Sequence, residues 1–83
     1  MAVVKLTPDA LEQFTDLPKA IRERVRKVAE RLAGWPNVSG AKSLSGTLAR
    51  WYRIRTGDYR VRFRPVGDTV LIDKIGHRRE FYD

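Results

Sequence analysis

Arg50-Trp51-Tyr52-Arg53-Ile54-Arg55-Thr56-Gly57-Asp58-Tyr59-Arg60-Val61-Arg62-Phe63-Arg64 alternates charge with apolar bulk on either side of a single Gly-Asp pair. A period of two marks a strand with unlike faces, so this stretch predicts a β-hairpin. The turn decides its register. A two-residue turn at Gly57-Asp58, with Gly57 free to take positive φ, sets Thr56 against Tyr59. Arg55 then opposes Arg60, Ile54 opposes Val61, Arg53 opposes Arg62 and Tyr52 opposes Phe63. Tyr52, Ile54, Val61 and Phe63 share the core face, and the four arginines share the other. A three-residue turn would put Arg55 opposite Tyr59 and Arg53 opposite Val61, mixing the faces, and is rejected on that ground. Like charges directly across a ladder repel, so an anionic partner is the expected occupant of the arginine face.

The rest of the chain fits one small domain. Its 83 residues carry 17 Lys and Arg against 10 Asp and Glu, a formal net charge of +7, and the pI is near 10.4. That balance points to a polyanion, either nucleic acid or an acidic protein segment, without choosing between them. There is no cysteine, which excludes disulfides and thiolate metal ligands. Neither a metal site nor a small-molecule cofactor is expected. The apolar run from Met1 to Leu6 is too short for a signal peptide or a membrane span. The expectation is therefore a cytoplasmic protein without a membrane partner.

In chain order, Ala2 to Leu6 reads as a first strand, and Thr7-Pro8-Asp9 as a helix start with Thr7 as N-cap. Leu11 and Phe14 give this short helix a buried side. Pro18 restarts the helix, and Ile21, Val25, Val28 and Leu32 follow at four-three-four spacing before Gly34 ends it. The two helices form an antiparallel hairpin that must bury its apolar stripe on a sheet. Residues 34–40 are rich in breakers and read as a loop. Residues 41–49 show no period, though Leu44 and Leu48 are expected inside. Pro65-Val66-Gly67-Asp68 makes a second turn. The strand from Thr69 to Ile75 has apolar residues on both faces, as a central strand covered on both sides would. The order β-α-α-β-β-β, with the helices on one face of a small twisted antiparallel sheet, is an α+β architecture spanning residues 1–83.

Three stretches then carry a resemblance. They are Leu44-x-Gly46, the hairpin from Tyr52 to Val61, and Ile75-Gly76-His77-Arg78-Arg79-Glu80-x-Tyr82. Together they resemble the RelE/ParE superfamily of toxins from type II toxin–antitoxin modules, in its RelE-like branch, over nearly the whole chain. The resemblance implies a ribosome-dependent mRNA endoribonuclease that works without a metal. In such enzymes the ribose 2′-hydroxyl attacks the adjacent phosphate, leaving a cyclic phosphate or 3′-phosphate end and a 5′-hydroxyl. It also implies an acidic, partly disordered antitoxin as partner, with a free toxin that is monomeric and forms a hetero-oligomer with that antitoxin. Carried over position by position, the site falls on Arg53, Arg55, Arg60, Arg78 and Tyr82; Arg62, Arg64 and Arg79 are expected beside them as further RNA contacts.

The chemistry of these residues agrees with that implication in part. Guanidiniums suit the equatorial oxygens of a phosphoryl group in transfer, and Tyr82 could stack on a base. Phe81 and Tyr82 alternate, so only one of them faces inward. Where the type member of the family has lysines, this chain has Arg53 and Arg55, and arginine does not give up its proton. His77, the one side chain whose ordinary pKa lies near neutrality, is the substitute candidate as base or acid. Two other readings stay open at this point: a gyrase poison of the ParE branch, and a non-catalytic basic module that binds an antitoxin.

Overall fold

The computed structural model describes residues 1–81. Strand β1 (Val3–Leu6) leads into helix α1 (Pro8–Thr15) and helix α2 (Lys19–Leu32). A two-residue strand β2 (Lys42–Ser43) precedes β3 (Tyr52–Thr56), β4 (Tyr59–Val66) and β5 (Thr69–His77), and single 3-10 turns occupy Gly46–Leu48 and Arg78–Glu80. The strands form one sheet in the order β1-β5-β4-β3-β2. The α+β class and the helical hairpin are as expected, but the sheet is mixed rather than antiparallel throughout. β1 runs parallel to β5, from Val3 beside Thr69 to Leu6 beside Ile72. No tight turn joins these two strands, so nothing local imposes the antiparallel direction.

The helix starts follow their sequence signals. Thr7 Oγ1 accepts the N–H of Ala10 at 3.1 Å, and Pro8 opens the first turn without needing a donor. Pro18 stands extended between the helices at ψ 148°, and its carbonyl accepts the N–H groups of Ile21 and Arg22, both at 2.9 Å. Val25, Val28 and Leu32 of α2 are buried against Ile54, Val61 and Phe63 of the hairpin, with Val70, Ile72 and Ile75 of β5 completing the core. Trp35, in the breaker-rich loop, meets Tyr52 and Phe63 edge-on at 4.8 and 5.2 Å, and Tyr52 stacks on Phe63 at 5.6 Å. That loop is therefore anchored by an aromatic cluster. Leu44 and Leu48 are half-buried instead of inside the core.

The hairpin register is the expected one at all five pairs, from Tyr52 with Phe63 to Thr56 with Tyr59. Gly57 and Gly67 each take φ +60° in their Gly-Asp turns, a conformation that disfavours any residue with a Cβ. β5 departs from the expected doubly covered strand. Arg62 pairs with Lys74 but Phe63 pairs with Ile72, so Asp73 is an extra residue that bulges out of the ladder. Inward positions are consequently Val70 and Ile72 before the bulge and Ile75 after it, two and then three residues apart. The strand runs on to His77, beyond the expected end at Ile75.

Candidate functional site

The sheet face away from the helices carries the hairpin arginines. Arg55 stands across from Arg60 and Arg53 across from Arg62. β2 adds Lys42 directly opposite Arg53, and cross-strand partners share a face. The C-terminal turn brings a further cation, because the N–H of Arg78 donates to the carbonyl of Asp58 in the hairpin turn at 2.7 Å. Arg78 is thereby tied to the tip of the arginine hairpin.

Arg53, Arg55, Arg60 and Arg78 form no ion pair with any acid among the described residues. Burial, followed by the charges of Arg55, Arg53 and Arg78, pushes the Arg60 guanidinium below its ordinary pKa, while Asp58 pulls the other way. Arg60 Nη1 and Arg53 Nε are both buried without a hydrogen-bond partner. Buried donors are nearly always paired, so two orphans in one cluster call for an acceptor that is not part of the chain. Beside Arg60 lies a cavity of about 320 Å³, lined by Arg60, Arg78, Arg79 and Phe81. An oxyanion in that space can meet the guanidiniums of Arg60, Arg78 and Arg79.

Arg62 lies in the same row but is not part of the unpaired set. Its guanidinium grips the bulged Asp73 with both ends, Nε to Oδ1 at 2.9 Å and Nη2 to Oδ2 at 2.7 Å. It also lies over the Trp51 ring at 5.4 Å, as Arg64 does at 5.8 Å. The four aligned hairpin arginines are thus three unpaired ones and one neutralised one.

His77 sits elsewhere. It faces Tyr59 in the β4–β5 ladder, with the two rings edge-on at 5.5 Å, and lines a cavity with Gln13, Leu17 and Pro18 beside the end of α1. Its Nδ1 accepts the N–H of Arg79 at 3.2 Å, and Glu80 Oε1 accepts the His77 N–H at 2.8 Å. This reciprocal cap shapes the turn that presents Arg78 and Arg79. Gly76 admits it, since a Cβ there would stand 2.8 Å from Glu80 Oε1. Tyr82 lies outside the described residues.

Three participants were not among the residues that the sequence assigned to the site. Lys42 stands in a stretch without period, and only the pairing of β2 reveals its position. Phe81 joins the arginine cavity and packs under Lys74 Nζ at 4.7 Å. Asp73 reads as one more strand residue until the bulge turns it toward Arg62. Among the described residues no three His, Cys, Asp or Glu side chains gather as a set able to hold a metal ion. No helix among them is long and apolar enough to cross a membrane.

The fold is thus a small α+β domain with an unneutralised guanidinium cluster on its open sheet face. Residues 4–82 match the family described as the ParE toxin of the type II toxin–antitoxin system parDE. Toxin RelE3 of Methanocaldococcus jannaschii is 30% identical over 77 residues, which cover 88% of this chain and 86% of that protein. In structure, the chain is similar to the toxin–antitoxin complex RelBE2 from Mycobacterium tuberculosis, with a TM-score of 0.82, 30% identity, and coverage of 93% of this chain and 98% of the other. The RelB–RelE antitoxin–toxin complex from Methanococcus jannaschii gives a TM-score of 0.76 at 25% identity, covering 94% of each chain. The protein belongs to the RelE/ParE superfamily of toxins of type II toxin–antitoxin systems.

Proposed function

We propose that this toxin is an endoribonuclease that cuts mRNA on the ribosome, and that an acidic antitoxin silences it by covering the arginine face. The observation that carries this reading is the unpaired set of Arg53, Arg55, Arg60 and Arg78, with two buried guanidinium N–H groups that lack an acceptor. In the reaction the ribose 2′-oxygen forms a bond to the adjacent phosphorus as the bond from phosphorus to the 5′-oxygen breaks. A cyclic phosphate and a 5′-hydroxyl result; one proton leaves the 2′-hydroxyl and one arrives at the 5′-oxygen. Charge accumulates on the phosphoryl oxygens along the way. Fixed guanidiniums aimed at those oxygens lower the barrier without reorganising during the step.

Arg60, half-buried, binds the phosphoryl group, with Arg55 and Arg78 beside it and Arg53 toward β2. Arginine cannot serve as the base, so the cluster's part is electrostatic. We assign His77 to positioning, because its Nδ1 caps the turn that carries Arg78. Tyr82 is proposed as the ring that stacks on a base. Arg64 and Arg79 extend the phosphate contacts. The relatives solved as toxin–antitoxin complexes support an antitoxin partner, and a disordered acidic segment gains affinity by wrapping a complementary cationic face.

The matching family's description names the ParE toxin, which favours a second reading, poisoning of DNA gyrase. One experiment separates the two. Wild type and Arg78→Ala are induced in cells, mRNA 5′ ends are mapped by primer extension, and DNA integrity is read from the same cultures. The expected result is growth arrest with new ends inside translated messages, lost in the variant. Arrest with broken DNA and intact mRNA would move the protein to the gyrase branch.

A further inference from the structure

Ser45 stands exposed at the start of the 3-10 turn Gly46–Leu48. Its backbone is extended, at φ −126° and ψ 178°, and its hydroxyl makes no capping bond to the turn. The segment around it is held to β3 at both ends: Leu44 N–H donates to Trp51 O, and Trp51 N–H to Leu48 O, each at 2.9 Å. A hydroxyl without a bond to hold it, on an exposed loop of fixed shape, is accessible to an enzyme that modifies it.

The surroundings of Ser45 carry one sign of charge. It lines a cavity of about 570 Å³ in which Arg53 is the only charged residue. Arg53 Nε is buried without a hydrogen-bond partner. Lys42 lies across from Arg53, and Arg50 is exposed at the other end of the loop. No Asp or Glu occurs between Glu30 and Asp58. A dianion attached to Ser45 would therefore meet a guanidinium with an unmet donor and no carboxylate to repel it.

We infer that Ser45 is a phosphorylation site, and that its phosphoryl group is captured by Arg53 and switches the toxin off. A protein kinase supplies the group from a nucleoside triphosphate. Ser45 Oγ bonds to the terminal phosphorus as the bond from that phosphorus to the bridging oxygen breaks; the hydroxyl proton passes to solvent and a nucleoside diphosphate leaves. The phosphoserine adds about −1.5 to −2 of charge and three acceptor oxygens. It occupies Arg53 from within the chain and so withdraws one cation from the set formed with Arg55, Arg60 and Arg78. The silencing rests on the RNA-cleaving reading, whereas the capture by Arg53 does not.

The test has three readouts. Phosphopeptides are mapped on the chain purified from the cells that make it, in growth and in arrest. Phosphate at Ser45 in growing cells is expected, and its absence from both would overturn the inference. The whole protein, synthesised with phosphoserine at position 45, is then titrated by phosphorus NMR, with and without Arg53→Gln. Phosphoserine ordinarily gives up its second proton near pH 6 (about 6). Pairing with Arg53 favours the dianion, so that proton should be held about tenfold more weakly with Arg53 present than in the variant. Equal titration of the two proteins would overturn the capture. Cutting of ribosome-bound mRNA should fall by about tenfold or more on phosphorylation, the scale of losing one charge-stabilising donor, while Ser45→Ala cuts as wild type does. A phosphorylated protein that cuts as well as wild type would overturn the silencing. Unmodified wild type that leaves mRNA uncut, while the phosphorus titration still depends on Arg53, would remove the cutting and keep the phosphate capture.

Discussion

Arg60→Gln should make the free toxin more stable while it destroys the site. Arg60 faces Arg55 across the ladder, has Arg53 on the diagonal and Arg78 beside it, and no acid of the described residues pairs with any of them. At the spacings of cross-strand and diagonal neighbours, about 5–8 Å, each like-charge contact costs roughly 0.5–0.8 kcal/mol in a water-like dielectric. Physiological salt, with a Debye length of about 8 Å, removes about half of it. The sum over three neighbours is about 1 kcal/mol, which in a domain of this size raises Tm by about 4–8 °C. Glutamine keeps most of the aliphatic stem, so little packing is lost. Thermal unfolding of both proteins at low and high salt measures the effect: the repulsive part of the gain should vanish at 1 M salt, where the Debye length is about 3 Å, while the part due to burying an unpaired N–H remains. The gain should not depend on pH across the neutral range. Burial and neighbours depress the Arg60 pKa, so the penalty is complete below the folded value and lifts only as pH climbs past it, far above neutrality. A variant less stable than wild type would show that the guanidinium holds the fold together, and the anion site would lose its main support; a gain that does not change with salt would exclude like-charge repulsion as its source.

Asp73→Asn takes the bidentate acceptor from Arg62, whose side chain and that of its partner are 22% and 18% exposed. A loss of about 1–3 kcal/mol in urea unfolding is expected, the range for hydrogen bonds to charged groups at a partly buried pair; unchanged stability would mean that the bulge holds without its ion pair. His77→Ala should weaken mRNA cutting by loosening the Arg78 turn, leaving the pH profile of the residual activity as in wild type. A lost or shifted limb in that profile would return His77 to acid–base work. The Arg26 hydrogen bond holds the Glu23 carboxyl below its ordinary value, so its contribution is present at neutral pH and is lost as pH falls through that lowered value. Glu23→Gln should accordingly lower Tm at pH 7 and match wild type in strong acid; a difference that persists in acid would exclude the ion pair as its source.

The sequence made the hairpin legible because two independent constraints coincide there. Alternation fixes which side chains share a face, and the Gly-Asp turn fixes where the strands meet, so only one register satisfies both. Helix α2 was legible for a similar reason, with Val25, Val28 and Leu32 at helical spacing between Pro18 and Gly34. β2 was not. Lys42 and Ser43 form a strand only because Arg53 and Tyr52 present a ladder to them, and a two-residue element has no period to read. The cavity at Arg60 drew on both kinds of information. Its hairpin arginines follow from alternation, whereas Arg78 reaches them through one backbone hydrogen bond to Asp58, between residues twenty positions apart.

The bulge at Asp73 shows where local pattern and function diverge. Had β5 kept a strict period of two after Ile72, Ile75 would have turned outward and Asp73 would have remained an ordinary ladder residue. The extra residue keeps Ile75 inside, and it also frees the Asp73 carboxylate to grip Arg62. One irregularity therefore closes the core on the helix side and sets the limit of the unpaired charge on the other. Without it, Arg62 would join Arg53, Arg55 and Arg60, and the like-charge repulsion estimated for Arg60 would spread along the hairpin. With it, free positive charge is concentrated at the tip of the hairpin, where Arg78 arrives, and along the edge, where Lys42 arrives. The cations that this neutralisation leaves unpaired are the ones proposed to hold the phosphoryl group.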